Sequence, residues 1–340
     1  MLNQLTASKK KFLIIALCIS LIFIIAACNR LNQQNKQNSN QSQTKAGIEK
    51  TQVHSNIIEI NANLIDIMSQ VDLIPYYEEQ IKEKKKEENE KEKKQQKSAS
   101  QGQGEQGQQE SPSNGGSSSN GSSGGGKEEF KPKPVTINDI LLSKVLEQEK
   151  TYQTEQTKER KIPDDIVCIW HEINNQVNKL HQKWDDLKPK LTKLKIPQDK
   201  TTDFEDRLND LTIASTNKKY METLEQTNKS SSIIPDFIEK SKDKTLASMY
   251  RIKYYVRKIL LDAANNKTDI EDKIKKIKEA EKQVSKRLEE NDEKELSQKI
   301  ASSIDNLKKA AKTNDINVLK IKGSIVVKNI AAAREKLSVK

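Results

Sequence analysis

The stretch 166–194 reads IVCIWHEINNQVNKLHQKWDDLKPKLTKL. Its apolar side chains Ile166, Trp170, Ile173, Val177, Leu180, Trp184, Leu187, Leu191 and Leu194 recur at alternating steps of four and three. An α-helix turns that spacing into one continuous stripe, whereas a half-buried strand would need a period of two. Asp164 or Asp165, just after Pro163, offers an N-cap; Pro189 is expected to bend or end the helix, and Pro197 falls outside it. Trp170 and Trp184 read as core. Cys168 is turned roughly opposite the stripe, yet with Val167 and Ile169 beside it the expectation is a small residue buried against a second neighbour.

The same pattern continues towards the carboxyl end. Phe204, Leu208 and Leu211 form a stripe, followed after a break near 215–217 by Tyr220 and Leu224. Pro235 starts a short segment with Phe237 and Ile238. Met249, Ile252, Val256, Ile259, Leu260 and Ala263 line another helix, closed by Asn265 and Asn266. Ile270, Ile274, Ile277, Val284 and Leu288 make the next, and Leu296, Ile300, Ile304, Leu307 and Ala311 the one after. Thr202 to Glu205 and Thr268 to Glu271 fit capping boxes. A last helix is expected over 318–337, although Gly323 and Ile325-Val326-Val327 suit a strand nearly as well. About seven helices joined by short loops predict an antiparallel bundle over 135–340.

Before the bundle the composition changes several times. Lys9, Lys10 and Lys11 precede an apolar run from Phe12 to Ala27, too short for the roughly 20 residues that span a bilayer. A charged start, a short apolar core and small residues at its end describe a secretory leader over 1–27. Its end, Ile24-Ile25-Ala26-Ala27-Cys28, resembles the bacterial lipoprotein processing box, in which the cysteine thiol accepts diacylglycerol. Cys28 is thus the expected lipidation site and the contact with a membrane. Residues 28–50 read as a flexible tether. Val53, Ile57, Ile60, Leu64, Ile67, Val71 and Ile74 then form one seam in a 51–97 segment that continues as a Lys/Glu-rich extension. That helix is expected to dock on the bundle, with self-association through its 53–74 seam as the alternative. Residues 98–134 are Gly/Ser/Gln-rich and read as a disordered linker. The fold class expected is therefore all-α: an antiparallel multi-helix bundle preceded by a lipid tether, one N-terminal helix and a disordered linker.

Charge narrows the chemistry. The chain carries a net +11, and residues 244–340 hold 24 basic against 14 acidic side chains. A basic half favours polyanions such as sulfated glycans, anionic lipid or acidic proteins, although a solvated helix surface gives the same excess. Lys275, Lys278, Lys282 and Lys286 stand at 3-4-4 spacing and form one ridge, with Arg287 beside it. A linear polyanion matches such a ridge, while Glu271 and Glu279 weaken its field. A secondary basic and aromatic patch is expected from Arg251, Tyr254, Arg257 and Lys258; the plainer alternative is that Tyr250 and Tyr254 complete a buried stripe. His54, His171 and His181 have no metal-ligand spacing. The Gly-rich stretch lacks a GK[ST] ending, and no GxSxG turn occurs. No enzymatic activity, cofactor, metal or nucleic acid partner is expected. With Cys28 lipidated and Cys18 removed, Cys168 has no partner for an internal disulfide.

Taken over the whole chain, the processing box at Cys28, the Asn/Lys/Ser tether, the low-complexity spacer and the cysteine-poor helical domain resemble the plasmid-type outer-surface lipoproteins of Borrelia spirochaetes. Mycoplasma-type lipoproteins share much of this composition. The resemblance rests on architecture and carries over no ligand residues. It implies an outer-membrane, surface-exposed lipoprotein that binds host components: matrix, glycosaminoglycan, plasminogen or complement proteins. The competing expectation is an envelope-structural or periplasm-facing lipoprotein that assembles through its 53–74 helix.

Overall fold

In the computed structural model the 166–194 stripe is a helix whose members from Trp170 to Leu191 are at most 3% exposed. Asp165 is the N-cap: its carboxylate accepts a hydrogen bond from the Val167 amide at 3.0 Å. Pro189 is accommodated in the last turns. The structure describes residues 45–100, 130–149, 162–267, 270–313 and 315–338. The 1–27 leader, Cys28, most of the tether, residues 101–129 and Thr268 of the second expected capping box lie outside the described residues.

The protein is an all-α bundle. Its helices are α1 (Lys45–Val71), α2 (Ile74–Ser100), α3 (Ser143–Leu146), α4 (Ile166–Lys193), α5 (Gln198–Thr216) and α6 (Tyr220–Ser231). They continue as α7 (Ile234–Ser241), α8 (Lys244–Ala264), α9 (Ile270–Glu289), α10 (Lys294–Ala310) and α11 (Ile316–Ser338). Among consecutive helices α4 packs on α5 and α7 on α8, and α8, α9, α10 and α11 each pack on the next. Because α11 returns to pack on α8, these four close into a ring around one core. On its outer side α8 also carries α6 and α7, and α5 packs on both α4 and α6. With neighbours all round, α8 buries Ile252, Val256, Ile259, Leu260 and Leu261 completely.

The α1 seam is part of the same core. Val53, Ile57, Ile60, Leu64, Ile67, Val71 and Ile74 are at most 2% exposed and join one cluster with residues of α4 to α11. Polar ties hold α1 in place: Lys183 reaches Glu59 at 2.8 Å and Asn63 at 2.7 Å, and His54 Nδ1 lies 3.1 Å from Ser241 Oγ. A second copy of the chain would find no apolar side chain of this seam exposed.

Four readings need correction or completion. First, α5 begins at Gln198 behind Pro197, so Thr202 to Glu205 lies inside the helix and caps nothing. The Pro197-Gln198 start preempts it, and Thr201 Oγ1 donates back to the Gln198 carbonyl at 2.8 Å. Second, residues 316–338 are helical throughout. Gly323 lets α11 approach α8 and α3: a Cβ there would stand 3.1 Å from Val256 Cγ1 and 3.5 Å from Val145 Cγ2. Third, the ends of the expected linker are ordered. Residues 98–100 complete α2, and 130–134 run along α2, where Tyr76 donates to the Lys133 carbonyl at 2.6 Å and Gln80 accepts from the Lys133 amide at 2.8 Å. Phe130 and Val135 cover a small cluster of Tyr76, Ile81 and Ile162, the apolar content that a Gly/Ser count overlooks. Fourth, Cys168 is exposed, with Val167 beside it 48% exposed. Among the described residues no second neighbour covers that side of α4, so the helical angle was the better guide.

Candidate functional site

The basic ridge is carried by α9. Ile274, Ile277, Ala280, Val284 and Leu288 bury one side of this helix, which orients the other side outwards. Lys275, Lys278, Lys282, Lys286 and Arg287 are all exposed on it. Glu271 and Asp272 sit in the first turn, Lys286 and Arg287 in the last, the arrangement that suits the helix dipole.

Ion pairing sorts these cations. Lys278 reaches across to Asp305 of α10 at 2.7 Å, and Arg287 pairs with Glu290 at 3.2 Å. The two carboxylates expected to weaken the ridge stay beside it, each in an ion pair: Glu271 with Lys308 at 2.9 Å, Glu279 with Lys276 at 3.6 Å. The hydrogen bond from Lys308 holds the Glu271 carboxyl below its ordinary range. Among the described residues Lys275, Lys282 and Lys286 form no ion pair. Lys275, Lys278 and Lys282 border a groove of about 310 Å³ between α9 and α10, which Glu271, Ile274, Glu279 and Lys308 also line. Exposed pairs such as Lys278–Asp305 contribute little stability, so an incoming anion can exchange them at small cost.

The secondary patch reaches the surface only in part. Arg257 is 2% exposed and makes a buried ion pair with Glu149, while its Nε donates to Asn228 at 2.8 Å and a terminal nitrogen donates to Ser231 at 2.9 Å. Arg251 is drawn to Asp236 at 3.1 Å and Glu239 at 2.8 Å. Lys258 binds Asp262 at 2.7 Å, and Tyr254 packs edge-on against Tyr255 with ring centres 4.8 Å apart. The reason is the crowding of α8: helices on several sides leave it only a half-buried strip through Arg251, Tyr254, Tyr255 and Lys258. Tyr250, Lys253 and Arg257 fall at steps of three and four, and this second period was the sign that they are buried together. Lys253 is 4% exposed, and burial pushes its ammonium down to about 8.

Another polar feature escaped the sequence reading. Asp72, between α1 and α2, is fully buried and accepts from the amides of Leu141, Leu142 and Ser143 at 2.7–2.9 Å and from Ser143 Oγ at 2.6 Å. It therefore serves as a distant cap for α3. Burial pushes its carboxyl above the usual range, against the pull of those four hydrogen bonds. A lone aspartate 71 residues before its serine partner carries no local signal.

Of the histidines, His181 bonds Thr212 at 2.8 Å, His171 is exposed, and His54 lines a cleft near the ends of α8 and α11. Among the described residues no group of three or more His, Cys, Asp or Glu side chains is placed to hold a metal ion, and no helix is long and apolar enough to cross a membrane. Compared with known proteins, the chain matches no family model, no curated protein and no solved structure.

Proposed function

We propose that this chain is a surface lipoprotein, held to a membrane by lipid on Cys28, whose helical body binds a sulfated glycan or similar linear polyanion of a host along α9. The observation that carries the reading is the row Lys275, Lys282 and Lys286, exposed and without ion partners among the described residues, on a helix whose opposite side is locked into the core. A rigid row loses little conformational freedom when a partner arrives, apart from the lysine stems themselves. The sequence at Ala26-Ala27-Cys28 supports the anchor, and the net +10 of residues 244–340 supports an anionic partner. The role is one of binding, without catalysis.

Heparin chromatography and titration of the chain from Asn29 onward test the binding. Retention is expected at low salt and is expected to fall steeply as salt rises. Replacing Lys275, Lys278, Lys282 and Lys286 together by Gln should weaken it tenfold or more; unchanged affinity, or no affinity in the parent protein, refutes the ridge. Labelled palmitate tests the anchor separately: incorporation should be lost in Cys28→Ser, and a parent protein that takes up no label overturns it.

A further inference from the structure

A second concentration of positive charge lies where four elements meet. A cleft of about 610 Å³ opens beside the α7–α8 turn, within the range typical of small-molecule sites. Lys242 and Lys244 flank it from that turn, Lys286 comes from the last turn of α9, and Arg334 comes from α11. Leu246 and Met249 of α8 and Leu337 of α11 add an apolar lining.

The balance of charge within the cleft is one-sided. Its two carboxylates are engaged: Asp243 caps α8 by accepting from the Leu246 amide at 2.7 Å, and Glu290 pairs with Arg287 at 3.2 Å. Among the described residues Lys242, Lys244, Lys286 and Arg334 make no ion pair. Arg334 is the telling member. Its guanidinium is half-buried, 5.9 Å from the centre of the Tyr250 ring, with one nitrogen 3.3 Å from the Tyr250 hydroxyl. A guanidinium held by an aromatic ring, partly desolvated and lacking a carboxylate, is a planar fork prepared for a bidentate anion. The cationic field is felt by its neighbour: burial first, then the charges of Lys242 and Arg334, hold His54 below its ordinary value.

We infer that this cleft is a binding site for a small amphiphilic anion, its acidic head on Arg334 and Lys286 and its apolar body on Leu246, Met249 and Leu337. A bare inorganic anion would leave the apolar lining unused, and an uncharged chain would leave the cations uncompensated. The site shares only Lys286 with the polyanion row, since Lys275, Lys278 and Lys282 take no part in it.

Calorimetric titration of the chain from Asn29 onward with dodecanoate, dodecanol and sodium sulfate, each below any micellar concentration, tests the inference. Dodecanoate should bind at one site, with dodecanol and sulfate at least tenfold weaker. Arg334→Gln should weaken dodecanoate about tenfold or more, the loss of a hydrogen-bonded charged partner, and Arg334→Lys should recover part of that. Lys286 is exposed at the rim of the cleft, so Lys286→Gln keeps the fold intact and should weaken binding several-fold. Lys275→Gln, Lys278→Gln and Lys282→Gln combined should leave dodecanoate untouched while heparin is lost. No dodecanoate binding by the parent, equal binding of dodecanol or sulfate, or full affinity in both Arg334→Gln and Lys286→Gln overturns the site.

Discussion

Lys253 shows what a single side chain does to the pH behaviour of the fold. It is nearly fully buried near Tyr250, 5.4 Å from that ring, with Glu149 favouring its charge and Arg257 and Arg334 opposing it. Burial dominates and brings its pKa to about 8, against 10.5 in an unfolded chain. At neutral pH both states hold the proton, and the folded state carries a penalty of about 3 kcal/mol for the buried charge. Between about 8 and 10.5 the unfolded chain binds more protons than the folded one, so stability rises with pH across that window and the penalty is gone above it. Lys253→Met should therefore raise the urea midpoint at pH 7, by an amount equivalent to a few kcal/mol, and remove this rise between pH 8 and 10.5. Equal stability curves for both proteins would show that the ammonium finds solvent. The Glu149–Arg257 pair beside it behaves in the opposite way. Removing one partner leaves a buried charge alone, and Glu149→Leu should cost about 3–5 kcal/mol in chemical denaturation. None of this was legible at the level of single residues, where Arg257 and Lys258 look alike; only their different angular positions on α8 separate a core cation from a surface one.

Among the elements, α11 carries the clearest lesson. Its central Gly323, followed by Ile325-Val326-Val327, has the local composition of a strand, yet the segment is helical from Ile316 to Ser338. The glycine favours proximity: a Cβ there would press on Val256 of α8, which would have to give by a few tenths of an ångström, and would already touch Val145 of α3. Helix formation there is settled by packing against α8, α10 and α3, which outweighs the β-branched run. Gly323→Leu should push α11 away and destabilise the protein by about 1–3 kcal/mol, read as a lowered thermal midpoint with little change in far-ultraviolet dichroism. By contrast, α4, α8, α9 and α10 were readable from spacing alone, because each has one uninterrupted stripe and a recognisable end. The exposure of the α9 ridge was readable for the same reason, whereas Arg257 of the α8 patch was misplaced: a period names the residues that share a side but not how many neighbours the helix has. Positive φ values at Lys195, Lys218, Asn266 and Asp292 mark four turns after helices, and only the Asn265-Asn266 closure had a conventional signature.

At the scale of the molecule, the amino-terminal α1 and the carboxyl-terminal α11 contribute to one core. The composition shift near residue 98 reads as a boundary between separate parts, but the side chains of Ile57, Leu64 and Ile67 end up fully buried with those of Val326 and Ile330 in a single cluster. A fragment limited to 135–340 would uncover the surface that α1 protects. Such a fragment should keep much of its helical dichroism, bind hydrophobic dye, and lose the near-ultraviolet signal of the Trp184, Phe204 and Phe237 cluster, whose ring centres lie 4.4–5.9 Å apart. A fragment as cooperative as the parent chain would show that α1 is dispensable. There is a converse to this shared core. One peptide bond hydrolysed between Gly102 and Gly126 should nick the polypeptide without dismantling it: the two pieces would co-elute in native buffer, separate in denaturant, and reassemble when it is diluted away, since what joins residues 50–93 to the rest is burial as well as the backbone.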